Sequence, residues 1–287
     1  MSSLSPQAAS ALKARLQALY ADGSKHAVYQ NVPEFVRGAL GYYEMIDEDW
    51  RSDTPRYEYL AERLTVRPGE TIADVGANTG YFALKLARAH SECHVRAYEP
   101  NPNHRAFIRE IAEAFALGNL SVNSEVWSAG NLETLQPSNT VLLLNILHHA
   151  GFDFDLELSD SNSAFEAYAS AYLRRLAKSS RALCFQIGSN RGGDKLRPLF
   201  AFDDDLRRLQ WSCQLLADSG WLIRHVGVAG RDATGRVHYT DIPENMLASA
   251  QANQVGSVEF SGYFAAANLR QFPGEFYRRP LFICEAN

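Results

Sequence analysis

Apolar and polar positions repeat along this chain with two different periods, and the change from one to the other divides it. Near the start, Ser5-Pro6 reads as an N-cap and first-turn pair, and Leu12, Leu16 and Tyr20 recur at a spacing of four before Gly23. A second helical segment, aromatic-rich, runs from Pro33 to Tyr43, and a third opens at Thr54-Pro55 with Tyr57, Leu60, Ala61 and Leu64 on one face. After Arg67-Pro68-Gly69 the pattern becomes strand, helix, strand, helix. TIADVG, CHVRAYE, LSVNSEV, VLLLNIL and RALCFQIG are short apolar strands; GYFALKLARAH, PNHRAFIREIAEAFAL (with Gly118 to end it) and AFEAYASAYLRRLAK are the helices between them. That alternation predicts a mostly parallel sheet covered by helices on both faces.

The rhythm changes late. DDLRRLQWSCQLLADSG predicts a helix ending at Gly220 and WLIRHVGVAG a sixth strand, but RPLFICEA, the seventh, comes only after some fifty residues of mixed sequence. A connection of that length is expected to carry function. The organisation expected is a helical cap over 1–68, then an α/β domain over 69–287 with an insertion near 230–278.

The first strand ends in ADVGANTGYF, residues 73–82. A dinucleotide fingerprint needs GxGxxG, the middle glycine admitting the pyrophosphate. Here Ala77 and Asn78 follow Gly76, and Asp74 precedes it, so a diphosphate would meet a carboxylate and no middle glycine. A cationic ligand suits the turn better. A second acid, Glu99, closes VRAYEP at the end of the second strand, where acids bind ribose hydroxyls.

The pair of stretches, DVGANTG and YEPNP, resembles motifs I and II of class I S-adenosylmethionine-dependent methyltransferases, and over about residues 70–110 the FkbM-type group within them. The resemblance implies a Rossmann-like, seven-stranded α/β fold with an N-terminal helical cap, S-adenosylmethionine as cofactor and S-adenosylhomocysteine as product. It implies a cofactor set of Asp74, Gly76, Asn78, Gly80, Tyr81, Glu99 and Pro100, with Trp127 beside the adenine (near Glu125, Val126 and Ser128) and Asn145 at the fourth strand's end. Against this stands the plain alternative that Asp74 caps the turn and Glu99 is a solvated strand end.

The fourth strand leads into LLLNILHHAGFDFD, residues 142–155. Ligands of open α/β sheets lie outside the carboxyl ends of the strands, so His148 and His149 fall where a methyl acceptor would sit. Transfer to a hydroxyl needs alignment and removal of a proton, which an imidazole can accept near neutral pH. His149 is the first candidate base and His148 the second, with Asp153 or Asp155 orienting one of them; shaping the pocket is the competing role for both. No metal is expected, because the histidines and acids lack a recognised ligand spacing. In the Gly-rich loop after the fifth strand, Gln186, Asn190 and Arg191 are candidate acceptor-binding residues, or members of a mobile turn. Tyr277, Arg278 and Arg279 are an anion clamp or an exposed charged hinge. His225 and His238 read as structural. The tyrosines and phenylalanines of residues 28–59 either roof the pocket or form the interface of a homodimer.

Composition narrows the partners. A net charge of -5, from 33 acidic and 28 basic residues, gives no general attraction to nucleic acid. The four cysteines form no CxxC pair, and Cys93, Cys184 and Cys284 lie in or beside apolar strands, so reduced thiols and a cytoplasmic setting are expected. No apolar run has the length of a membrane span or a signal peptide. The FkbM-type resemblance, with the histidines and the polar loop at residues 188–195, implies O-methylation of a sugar or glycan hydroxyl. The alternatives are a small-molecule metabolite, tRNA, a nicotinamide-dependent oxidoreductase, or a catalytically silent cofactor-binding subunit.

Overall fold

A computed structural model describes residues 4–21, 23, 30–42, 52–200, 205–252, 254–256, 258–272 and 275–287. Tyr29 and Tyr43, among the aromatic residues expected to roof a pocket or pair two chains, lie outside these. The chain divides into two compact units: residues 1–53 with 66–126, and residues 54–65 with 127–287.

The first unit holds α1 (Pro6–Ala21), α2 (Glu34–Leu40), β1 (Thr71–Val75), α4 (Tyr81–Ala89), β2 (His94–Tyr98), α5 (Pro102–Ala114) and β3 (Leu120–Asn123); α3 (Asp53–Arg63) starts at its boundary. Strands β1, β2 and β3 pair in parallel, Ile72 opposite Val95 and Val95 opposite Leu120. Four of the five residues of β1 are buried, apolar Ile72, Ala73 and Val75 together with Asp74, the near-continuous burial expected of a parallel strand covered on both sides. Helix α4 buries Phe82, Leu84 and Leu86, and α5 buries Phe107, Ile108 and Ile111. Burial of side chains this size contributes about 1.5–3 kcal/mol each. Asn101 caps α5 by accepting from the Asn103 amide, 2.9 Å, with Pro102 in the first turn. The helix ends earlier than its sequence suggests: Phe115 is its cap, and Ala116 takes the left-handed conformation, φ 54°, that the sequence assigns to Gly118. In the N-terminal helices, Phe35 packs edge-on against Phe115 and Tyr42 stacks on Tyr20.

The second unit holds the rest of α3 and then β4 (Thr140–Leu144), α6 (Asn162–Ala177), β5 (Ala182–Gln186), α7 (Asp205–Asp218), β6 (Trp221–Arg231), β7 (Val237–Asp241), α8 (Glu244–Gln251), α9 (Val258–Ala267) and β8 (Leu281–Ala286). Its strand order is β4-β5-β8-β6-β7, parallel between β4 and β5 and antiparallel on both sides of β8. Trp221, fully buried, anchors β6 by donating its indole N–H to the Leu173 carbonyl of α6, 3.0 Å.

Two expectations change here. The described residues contain eight strands, because β7, read as irregular sequence, pairs antiparallel with β6. Its turn is built by Asp232, whose carboxylate accepts from the amides of Thr234 and Arg236, and by Gly235 at φ 84°. The fourth strand also stops before the NIL of its apolar run, since Asn145 turns to φ 63°. All four cysteines are buried and unpaired with one another, and among the described residues no helix is long and apolar enough to cross a membrane.

The segment just before β8 is tied back to the ends of β4 and β5 by charge. Glu275 accepts from the Ser189 amide (3.2 Å) and from Arg279 (2.9 Å). Burial raises the Glu275 pKa, but the Arg279 charge, the bonds from Ser189 and Arg279, and the Arg208 charge outweigh it and hold the group at about 2. A carboxyl depressed in this way stabilises the fold above its ordinary pKa of 4.5 and loses that contribution as pH falls towards 2. Glu275→Gln is therefore expected to lower the unfolding free energy by about 2 kcal/mol at neutral pH. In urea titrations from pH 7 to pH 3 the gap between variant and unaltered chain should narrow; a gap that stays constant would remove Glu275 from this role.

Candidate active site

In the first unit, the β1 turn is shaped by three residues in left-handed conformations, Gly76 (φ 71°), Asn78 (φ 50°) and Gly80 (φ 82°). Gly80 also cannot carry a side chain without displacing α5, since a Cβ there would lie 2.8 Å from Ile108. The amides of Gly76 and Ala77 both donate to the Tyr98 carbonyl, at 2.8 and 3.0 Å, locking the turn to the end of β2. Glu99, buried, completes the lock: one carboxylate oxygen accepts from the Asn78 amide (2.7 Å), the other from the Asn101 amide (2.8 Å). Each oxygen keeps a second lone pair, so the carboxylate can still accept from two ligand hydroxyls. Pro100, next to it, is exposed and offers its carbonyl to Arg105.

Asp74 is buried, and its carboxylate accepts from the Ala83 amide (3.1 Å). It thereby satisfies a first-turn donor of α4 that Gly80, lacking a side chain, cannot reach. The turn-capping alternative for Asp74 is thus present in the structure, and it is compatible with holding a cation at the same time. Tyr81 is fully buried: its amide donates to the Gln30 side chain (3.0 Å) and its hydroxyl to Glu34 (3.2 Å). Sequence reasoning passed over Gln30, Asn31 and Glu34, which the fold brings onto the turn. No periodicity or motif marks them.

The second unit carries a different chemistry. Asn145 donates its backbone N–H to the Gln186 carbonyl (2.7 Å) and its side-chain amide to the Gln186 side-chain oxygen (2.8 Å), and accepts from Arg279 (2.8 Å). Gln186, fully buried, also accepts from Arg56 (3.2 Å) and donates to the Arg279 carbonyl (2.8 Å), so its side chain is committed to tying β4, β5, α3 and the segment before β8 together. Arg208 donates to the Arg278 carbonyl (2.6 Å) and the Ser189 hydroxyl (2.8 Å), and Arg278 grips Asp205 with two nitrogens. Arg278 and Arg279 are buried, which excludes the exposed-hinge reading, and Tyr277 packs on Phe272. Arg56 and Arg208 gave no sign in the sequence; the Glu275 to Arg279 spacing of four, acid first, is the ion-pair signal that points to this cluster.

His149 and Asp153 form a pair 2.6 Å apart between Nδ1 and the carboxylate, and the ring is 28% exposed. Asp155 has turned away: it accepts from the Ala129 amide and the Tyr168 hydroxyl. His148 is buried and lies flat against Gly188, where a Cβ would sit 2.4 Å from Nε2. Its Nδ1 accepts from the Gly188 amide (3.2 Å), which leaves the ring proton on Nε2. Burial, then the neighbouring His149 and Arg279, push its pKa well below the ordinary histidine value, so the ring stays neutral. Arg191 is packed between Phe152 and Phe165 and donates to Asp160 and to the Ser159 and Ser161 carbonyls, knitting loop 188–200 to loop 150–161. Asn190 is half-buried at the start of that loop. Trp127 is buried, its carbonyl accepting from Tyr172 (3.2 Å). No group of three or more potential metal ligands occurs among the described residues.

Residues 54–144 match the family model of the precorrin methyltransferase domain. Over 105 residues the chain is 30% identical to the tRNA U34 carboxymethyltransferase of Desulfotalea psychrophila, covering 36% of this chain and 32% of that protein. The chain thus matches about a third of the length of this curated relative. Among solved structures it is similar to precorrin-6y C5,15-methyltransferase of Geobacter metallireducens (11% identity, 80% of this chain and 87% of that one, TM-score 0.43). It is also similar to an O-methyltransferase of a Brevibacillus brevis polyketide synthase bound to S-adenosylhomocysteine (10%, 80% and 71%, TM-score 0.45). By its parallel β1-β2-β3 unit, its acid-bearing glycine turn and the domain matched across residues 54–144, the chain has the class I S-adenosylmethionine-dependent methyltransferase fold.

Proposed function

We propose that the chain transfers a methyl group from S-adenosylmethionine to a hydroxyl of a sugar, a glycan or another small polar metabolite. The observation that carries the cofactor half is the pair of buried carboxylates on the β1 turn, Asp74 and Glu99. A diphosphate would be repelled there, whereas a sulfonium and a ribose diol are complementary to it. Gly76, Asn78 and Gly80 bring backbone close to the ligand, and Tyr81 and Pro100 border it. Trp127 and Asn145 complete the set that the methyltransferase reading assigns to the cofactor.

The cofactor supplies an electrophilic methyl on a positively charged sulfur. Bound there, it would offer that methyl carbon to an acceptor oxygen, with sulfur as the leaving group. The acceptor's proton must go elsewhere, and His149 is the group suited to take it. With Asp153 accepting from Nδ1–H, the free lone pair of the ring is on Nε2. His148, held neutral with its proton on Nε2, is suited to donate a hydrogen bond. Gln186, Arg191, Tyr277 and Arg278 are engaged within the protein, so in this reading they support the acceptor pocket from behind and Asn190 is left as the polar group of that loop.

A second reading has a specific observation behind it. The tRNA relative is named for carboxymethyl transfer, and a donor bearing that group would carry an additional negative charge. In the second unit Arg56, Arg208, Arg278 and Arg279 are all buried, and guanidinium groups are the side chains that recognise a carboxylate best. The overall charge of -5 weighs against tRNA as the acceptor.

Titration calorimetry with S-adenosylhomocysteine is expected to show binding, weakened at least tenfold in Glu99→Ala; unchanged binding in the variant contradicts the cofactor assignment. In turnover assays that offer S-adenosylmethionine or a carboxymethyl sulfonium donor, with glycans or tRNA, methylated sugar is the expected product, and carboxymethylated tRNA would replace the first reading by the second. His149→Ala should lower kcat about 100-fold or more with little change in cofactor affinity. Equal losses in both would move His149 from proton transfer to cofactor binding.

A further inference from the structure

We infer that Asn31 is a further cofactor-binding residue, whose side-chain amide donates to the carboxylate of the amino-acid end of the sulfonium ligand. The inference rests on the methyltransferase reading above and adds a residue that neither the motifs nor the comparisons assign.

The segment before α2 is fastened to the β1 turn at several points. The Gln30 side chain accepts from the Tyr81 amide, the Asn31 carbonyl from the Thr79 hydroxyl (3.4 Å), and Glu34 from the Tyr81 hydroxyl and from Lys85 (2.9 Å). The Asn31 amide in turn donates to Asp53, 2.6 Å. Both backbone groups of Asn31 are therefore occupied, and the residue is fixed against the turn with only 2% of its surface exposed.

Its side-chain nitrogen is the exception. Buried and without a hydrogen-bond partner among the described residues, it is a donor with nothing to donate to. An amide kept in that condition costs the folded protein stability, and neighbouring donors of the turn do not share the problem: the Tyr81 and Ala83 amides have Gln30 and Asp74. An acceptor supplied by a ligand at the turn would satisfy it. The α4 N-terminus beside it favours a negatively charged one, and the amino-acid carboxylate is the anionic part of an S-adenosyl ligand.

The test uses the full chain and two ligands that differ in this part alone: S-adenosylhomocysteine, and 5′-methylthioadenosine, which lacks the amino-acid carboxylate. Asn31→Leu keeps the volume and removes the donor. Calorimetry should show S-adenosylhomocysteine binding weakened about tenfold to 100-fold, with 5′-methylthioadenosine changed less than about twofold. The melting temperature of the ligand-free variant should be unchanged or higher, because an unsatisfied donor has been removed. Asn31→Ala, smaller and without the risk of overpacking, should show the same split between ligands. If both ligands weaken alike, or neither does, the assignment is overturned; a lower melting temperature with normal binding overturns it in favour of a structural role. Failure of the unaltered chain to bind either ligand overturns the methyltransferase reading itself, and this assignment with it.

Discussion

The hydrogen bonds that Glu99 accepts from the amides of Asn78 and Asn101 are what the rest of the cofactor half depends on. They fix a turn in which Asn78 holds a left-handed conformation between two glycines, and they bury a carboxylate at the end of β2 with lone pairs still to offer. Asp74 does the equivalent work one strand over, holding the first turn of α4 through the Ala83 amide. Capping and ligand binding are commonly treated as rival explanations for an acid in such a turn. Here the geometry makes them one: the bonds that order the carboxylate are the same bonds that would preorganise it for a ligand.

The second unit solves a different problem. The end of β4 is held by polar groups in the interior, which need partners there. Gln186 resolves this by using its whole side chain, accepting from Asn145 and Arg56 and donating to the Arg279 carbonyl. Arg279 closes the circuit on Asn145, and Glu275 supplies the countercharge. The network links the integrity of the β4 and β5 ends to a segment more than 80 residues further on, with the Nε atoms of Arg208 and Arg279 left without a partner among the described residues. His148, neutral and pressed against Gly188, belongs to the same buried framework, whereas His149 remains reachable from solvent.

Much of the fold was legible in the sequence because its central strands are short apolar runs and its helices keep a regular face. What was missed had weaker local signals. Strand β7 was hidden because its alternation, VHYTD, is polar on one side, although Gly235 marks its turn. The early end of α5 was hidden because Ala116 takes a conformation that composition assigns to glycine. At the site, the acids of the turn were legible as members of it, because carboxylates at the ends of β1 and β2 have backbone amides of the turn within reach. Gln186, Arg191, Tyr277 and Arg278 were legible as polar residues near strand ends, but whether such a side chain faces a ligand or the protein depends on partners distant in sequence: Arg56, Asp160, Phe272 and Asp205. Asn31 could not be found at all from its neighbours, because its significance lies in a bond it lacks.

A crystal structure of the full chain grown with S-adenosylhomocysteine tests the central claim most directly, since the claim concerns where two carboxylates meet one ligand. The account predicts the ribose hydroxyls within hydrogen-bonding distance of the Glu99 carboxylate and the ligand's backbone-facing edge against Gly76 to Gly80. Ligand bound with Glu99 untouched, or bound away from the β1 turn, would contradict it.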